Sequence, residues 1–273
     1  MVQKNSIQSA IKQISMDVLV LGGRSFVALE IVRNFGKNGH TVYTAESLRL
    51  HPAGWSRYSR KNFHIPSPRF ALEAFAESLE KVIEQNNIQL VVPTCEETFY
   101  ISFLAPRLVA KFPNLRIAAG KYEDVALLHD KFLFSQLTTE LDIKTPRTFI
   151  VKTHDDIQQV RTQLKDQDLI LKLRFSRFGS SVRVVKAEDN IEAIDLQNLE
   201  WVCQEFIDGP LLCSYSYTVN GEVTATVNYE SPFSAQHGVL TAFRPTENLQ
   251  VLEGITSIAD KLHYTGNLSF DYI

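Results

Sequence analysis

Apolar positions along this chain alternate between two rhythms. Residues 17–21 (DVLVL) and 88–92 (IQLVV) are continuous or nearly continuous apolar runs, the pattern of strands buried on both faces of a parallel sheet. Between and around them, apolar residues recur every three or four positions. Phe26, Leu29, Ile31, Val32 and Phe35 form one such set; Leu72, Phe75, Leu79, Val82 and Ile83 form another. Each predicts an amphipathic helix with those side chains turned inward. Gly22-Gly23 turns the chain out of the first strand, Ser25 is placed as an N-cap, and Gly39 closes the helix before a second strand at 40–45. Residues 3–14 carry Ile7, Ala10, Ile11 and Ile14 at helical spacing, 97–108 predict a further helix and 115–118 a short strand. Residues 46–70, rich in Arg, Ser and Pro, predict irregular chain. Strand, helix and strand in succession over roughly 15–120 imply an open, mostly parallel α/β domain.

The rhythm changes after residue 122. A helix is predicted over 129–141 (Phe132, Phe134, Leu137, Leu141), then a turn with Pro146, a strand at 148–152 and a helix at 155–164. Short strands follow at 169–173, 182–186 and 201–207. The strands 215–219 and 222–228 flank Asn220-Gly221, a strong hairpin signal. A helix at 247–262 and a strand at 266–273 complete the chain.

Composition acts mainly by exclusion. At 273 residues, with 44% hydrophobic and 22% charged positions, the chain is that of a globular protein of about two domains. A net charge of −3 gives no basic field for nucleic acid or an anionic membrane. No apolar run nears the ~18 residues of a membrane span, and the first residues lack the apolar core of a secretory signal. Cys95, Cys203 and Cys213 are too few and too scattered for a disulfide framework or a zinc site, and fit a reducing, cytoplasmic setting. Gly22-Gly23 lacks the third glycine of a dinucleotide fingerprint, which leaves a nicotinamide-dependent oxidoreductase as the weakest reading.

The candidate chemistry lies in two segments about thirty residues apart. LILKLRFSRFGSS (169–181) is an apolar strand that ends near Lys172 and runs into a basic loop with glycine and serine. WVCQEFIDG (201–209) is a second strand leaving the sheet at Glu205. A lysine beside a loop with free backbone N–H groups suits a polyphosphate, and residues 204–208 can offer backbone groups to an adenine edge. Alone, each piece has a plainer reading: a strand-end lysine commonly reaches out to solvent, and loop arginines such as Arg174 and Arg177 are commonly solvated. Glu96-Glu97 follow a predicted parallel strand at the edge where ligands bind in open α/β sheets, though acids also suit a helix N-terminus. Arg244 is a candidate carboxylate anchor. His237 lies in a Gly/Ser/Pro segment that could face a substrate, though a plain surface histidine is the favoured reading, and Cys95 reads as a small hydrophobe.

Taken in order, these segments resemble the ATP-grasp superfamily, and within it the carbamoyl-phosphate-synthase-like and amino-acid-ligase-like members. The likeness covers nearly all of 17–273 and rests on DVLVLGG, RYSRKNFHIPSPR, VVPTCEETFYIS, HDKFLFSQL with IKTPRTF, LILKLRFSRFGSSV, QEFIDGPLLCSYSYTVNGEV and GNLSFDYI. It implies an α/β and α+β protein: a Rossmann-like pre-ATP-grasp domain over 1–122, followed over 123–273 by an ATP-grasp domain of two α+β subdomains that grip ATP. It also implies an ATP-dependent ligase that activates a small carboxylate as an acylphosphate and couples it to an amine, such as an amino acid. On this resemblance Lys131 and Lys172 contact phosphates, and the loop 174–181, with Arg177, Ser180 and Ser181, closes over them. Gln204, Glu205, Phe206 and Ile207 frame the adenine, Lys172 and Arg244 act on the reacting groups, and Asp271 binds Mg²⁺. Homodimers are common in such families. Two departures stand out. Gly209 is followed by Pro-Leu-Leu-Cys rather than a ribose-binding acid, and the sequence ends before the family's next strand, which carries Glu and Asn for the metal. The expectation is thus either a fragment of a longer protein or an incomplete metal site, and a non-catalytic ATP-binding module stands as the alternative to a ligase.

Overall fold

A computed structural model describes residues 15–165, 167–176, 181–230 and 243–273. The chain divides into two compact units, Met1–Tyr122 and Glu123–Ile273. The expected helix at 3–14, Arg177, Ser180 and His237 lie outside the described residues.

In the first unit, β1 (Asp17–Leu21), β2 (Thr41–Glu46), β3 (Ser59–His64), β4 (Leu90–Val92) and β5 (Arg116–Ile117) form a parallel sheet of order β3-β2-β1-β4-β5. Val18, Leu19, Val20 and Leu21 are all fully buried, as an unbroken apolar strand in mid-sheet must be. Three helices, α1 (Phe26–Lys37), α2 (Leu72–Asn86) and α3 (Glu97–Lys111), connect the strands. Leu19, Leu21, Phe75, Leu79, Ile83, Ile101 and Leu108 make the centre of one core. Chain order places the switch in strand direction of travel between β1 and β4, the crevice where open α/β sheets bind ligands.

Two expectations fail here for physical reasons. Ser25 does cap α1, its hydroxyl accepting from the Ala28 N–H, but the buried stripe is Ala28 and Val32. Phe26, expected inward, is 77% exposed, because the first helical turn sits before the stripe meets the sheet. Residues 46–70 are not all irregular: they contain β3 and a 3₁₀ turn at Pro52–Trp55. β3 is an edge strand, paired only with β2, so it carries Arg60, Lys61 and Asn62 without the apolar alternation that would announce it.

The second unit opens with α4 (Tyr122–His129) and α5 (Lys131–Glu140). The helix expected over 129–141 is α5, and α4 before it was not expected; between them lies Asp130, extended in backbone, whose carboxylate caps α5 by accepting from the Phe132 and Leu133 N–H groups. One antiparallel sheet, order β6-β9-β7-β8, is built from β6 (Thr148–Val151), β7 (Leu169–Leu173), β8 (Val182–Val185) and β9 (Trp201–Glu205). Helix α6 (His154–Gln163), started by a Thr153/Asp156 capping box, contributes Ile157 and Val160 to a core that holds Leu169, Leu171 and Trp201. The other sheet, order β12-β11-β10-β13, comprises β10 (Leu212–Val219), β11 (Glu222–Glu230), β12 (Arg244–Thr246) and β13 (Gly266–Tyr272), with α7 (Leu249–Leu262) joining β12 to β13. Asn220 and Gly221 turn the β10–β11 hairpin at φ 50° and 89°. The short strand β12 escaped the sequence reading because it is only three residues long and carries Pro245, which is tolerated only at a sheet edge.

Candidate active site

Alternation along β7 decides the site. Leu169 and Leu171 point into the core, so Ile170 and Lys172 must emerge on the opposite face. Ile170 lies opposite Gln204 on β9, which puts Gln204 on the same face as Lys172. Helix α5 begins at Lys131, and β13 brings Asp271. All four line a cavity of about 460 Å³ within the second unit. Its other walls are largely apolar: Phe134 stacks on Phe270 at 5.5 Å between ring centroids, and Ile143, Pro146, Ile207 and Ile258 complete them. A charged end and an apolar slot thus share one cavity.

Electrostatics at the charged end favour an anion. Burial lowers the pKa of Lys131, the neighbouring Lys172 ammonium lowers it further, and Asp130 offsets only part of this, leaving it at about 8. Burial also lowers that of Lys172, with Asp271 acting the other way. Two partly desolvated ammonium groups that repel each other are a place where a polyanion is more stable than water. The Lys131 Nζ donates to the Ser176 carbonyl at 2.9 Å and to the Ser176 hydroxyl at 3.1 Å, so it is already aimed by the chain that follows β7. Asp271 lies opposite Cys213, whose buried thiol is pushed up to about 12, the carboxylate adding to the effect of burial.

The remaining sequence candidates are placed elsewhere. Glu205 falls on the face opposite Gln204 and pairs with Arg147 at 3.1 Å. The Phe206 N–H donates to the Asp168 carbonyl at 2.9 Å, and its ring is partly exposed outside the cavity. The Ser181 carbonyl accepts from the Leu173 N–H. Arg244 pairs with Glu230 at 3.1 Å on the exposed edge strand β12. Arg174, a candidate for phosphate contact, turns away from the cavity: its guanidinium binds Asp130 and Glu200. In the first unit Glu96 and Glu97, together with Glu46, surround Arg24 at 2.6–2.9 Å. Burial pushes the Glu46 carboxyl up, but Arg24 outweighs it and holds the group below its usual range. These acids thus tie together the ends of β1, β2 and β4.

Residues 128–238 match the family described as the RimK-like ATP-grasp domain. It is this stretch that is similar to an ATP-grasp domain. Its fold is that of solved ATP-grasp enzymes, with a parallel α/β sheet followed by two antiparallel sheets. N5-carboxyaminoimidazole synthetase from Staphylococcus aureus, complexed with ADP, is 14% identical over 95% of this chain and 67% of that one, with a TM-score of 0.73. L-amino acid ligase from Bacillus licheniformis is 14% identical over 95% of this chain and 63% of its own, with a TM-score of 0.70. Biotin carboxylase from Campylobacter jejuni, in a β-γ-ATP complex, is 15% identical over 94% and 62%, with a TM-score of 0.69. The chain therefore spans about two thirds of the length of these ATP-grasp structures. No curated protein matches it. Among the described residues no helix is long and apolar enough to cross a membrane.

The walls of this cavity that sequence reasoning missed are Phe134, Ile143, Pro146, Ile258 and Phe270. In sequence each is an ordinary apolar position, and nothing local separates a cavity wall from a packed core residue.

Proposed function

We propose that this ATP-grasp chain binds Mg·ATP in the cavity formed by Lys131, Lys172, Gln204 and Asp271. It would act in an ATP-dependent ligase that phosphorylates a small carboxylate and couples the acyl group to an amine, the amine being an amino acid or a similar compound. On this reading residues 1–122 are the pre-ATP-grasp domain and 123–273 the ATP-grasp domain. The observation that carries the proposal is the convergence of two desolvated lysines and one carboxylate at one end of an apolar-walled cavity.

The residues fit the parts of the reaction. Lys131 and Lys172 would neutralise the phosphate oxygens, including charge that develops as the γ-phosphoryl group moves. Phe134, Ile207 and Phe270 would hold the base and keep out water, which strengthens the lysine–phosphate interactions. Backbone groups around Gln204 and Ile207 would set the adenine edge. Among the described residues Asp271 is the sole Asp or Glu lining the cavity, and no group of three or more His, Cys, Asp or Glu could hold a metal. That suits Mg²⁺, which keeps waters and is held by one or two carboxylates together with substrate phosphates rather than by a protein cage. When bound, the ion supplies further charge neutralisation at the phosphates.

The same single carboxylate supports a second reading, an ATP-binding module without turnover. The two readings separate in one assay. Pairs of amino acids are offered with Mg·ATP and ADP is measured. ADP that appears only when acid and amine are both present supports the ligase. ATP binding by calorimetry with no ADP under any pair favours the module, and absence of ATP binding sinks both.

ATP affinity should also follow pH. Lys131 carries its proton below about 8 in the free protein. Affinity is therefore expected to be level below that pH and to weaken as pH rises through it, by up to about tenfold per unit until the bound-state pKa is reached. Calorimetric titrations from pH 6.5 to 9.5 would show the break; a profile flat through pH 9 would mean that Lys131 does not meet the phosphates.

A further inference from the structure

We propose that Arg174 is a positioning residue that aims Lys131 at the nucleotide phosphates, an inference that rests on the ATP-binding reading above. Arg174 follows β7 immediately, and its guanidinium is wholly engaged. Nε donates to both Asp130 oxygens at 3.0 and 2.9 Å, Nη2 to Asp130 Oδ2 at 2.6 Å, and Nη1 to Glu200 Oε2 at 2.9 Å. Its backbone N–H donates to the Glu200 carbonyl at 3.1 Å. Its own carbonyl accepts from Lys131, from the backbone N–H at 3.5 Å and from Nζ at 3.4 Å. One residue thus joins the start of α5, the end of β7 and the entry to β9. These elements carry Lys131, Lys172 and Gln204.

The arrangement does more than link three segments. Asp130 is 3% exposed and caps α5 one residue before Lys131. Holding both oxygens of that carboxylate fixes the first turn of α5 and with it the direction of the lysine stem. It also occupies Asp130, an acid whose charge acts on the Lys131 ammonium and could otherwise draw it out of the cavity. A planar guanidinium can do this with two parallel hydrogen bonds, and a lysine in its place cannot. The loop arginine therefore serves the phosphates through Lys131 and not by touching them.

The test compares ATP, ADP and adenosine binding by calorimetry for the full chain and for Arg174→Lys. The expected result is an affinity loss of about tenfold for ATP and ADP with adenosine unchanged, because only phosphate contacts are misaimed. In a Lys131→Met background, Arg174→Lys should cost nothing further. Equal loss for adenosine, an unchanged ATP affinity, or fully additive effects of the two substitutions would overturn the proposal. Should Arg174→Lys not fold, the pair Asp130→Asn with Arg174→Gln serves the same purpose. It keeps an N-cap, leaves no buried unpaired charge and still removes the strut. The same loss is then expected, and normal ATP affinity overturns the proposal. If the unsubstituted chain binds no ATP, the ATP-binding reading itself fails; if it binds ATP and the variants match it, only the role of Arg174 fails.

Discussion

Lys172→Ala is expected to weaken Mg·ATP binding by about a hundredfold while leaving the melting temperature of the free protein unchanged or raised. The affinity loss follows from removing charge-assisted hydrogen bonds worth about 1.5–3 kcal/mol inside a largely apolar cavity. The opposite sign for stability follows from the site itself. In the free protein Lys172 is desolvated and faces another ammonium, so its charge opposes folding. The linkage has a definite direction. Lys131 and Lys172 both have pKa values below those of an unfolded chain, so the folded state binds fewer protons as pH passes upward through that interval. Stability should therefore rise with pH from about 8, where Lys131 begins to lose its proton, towards the ordinary lysine value. A melting curve and an ATP titration on the same variant decide the matter. If Lys172→Ala binds ATP like the parent, Lys172 does not contact the nucleotide and the central assignment falls. If it loses binding but also melts early, the loss is structural and says nothing of phosphate.

Gly22→Ala should be the most damaging small substitution in the first unit. Gly22 sits at φ +71°, and a Cβ there would lie 2.3 Å from the Thr94 Oγ1 and 2.9 Å from the Thr94 carbonyl oxygen. Thr94 cannot step aside cheaply, because its hydroxyl donates to the Leu21 carbonyl at 2.8 Å and joins the ends of β1 and β4. Strain from the left-handed backbone adds about 1–2 kcal/mol, and forcing a methyl into a filled space about 1–3 kcal/mol. A fall in melting temperature on the order of 10 °C is expected for a unit of this size. Gly39→Ala is the control. It has φ +81° but nothing within 4 Å of the added Cβ, so only the backbone cost applies. Equal melting temperatures for the two variants would show that the contact with Thr94 is soft and that the close approach carries no constraint.

Both predictions draw on features of unequal visibility. The buried strands of the first unit, the hairpin at Asn220-Gly221 and the order of the strands that carry Lys172 and Gln204 were readable because each depends on neighbours in sequence. An unbroken apolar run can bury both faces only in mid-sheet. An Asn-Gly pair supplies positive φ where a tight hairpin needs it. Strand alternation in LILKL is enough to send Lys172 to the face away from Leu169 and Leu171.

What the sequence could not reveal is which side chains from distant elements face each other. Arg174 and Glu205 read as ligand-facing residues, yet both are held in ion pairs, with Asp130 and Glu200 in one case and Arg147 in the other. β3 and β12 escaped notice because an edge strand needs only one partner and no apolar alternation. The cavity walls Phe134, Ile143, Ile258 and Phe270 come from α5, the segment between α5 and β6, α7 and β13, and only their packing turns them from core positions into cavity walls. The sequence by itself determined most of the elements, their order and the face on which Lys172 emerges, since propensity and periodicity act over a few neighbouring positions. Tertiary structure decided which charges stay free and which are paired, because desolvation and Coulomb attraction depend on distances that no spacing in sequence sets.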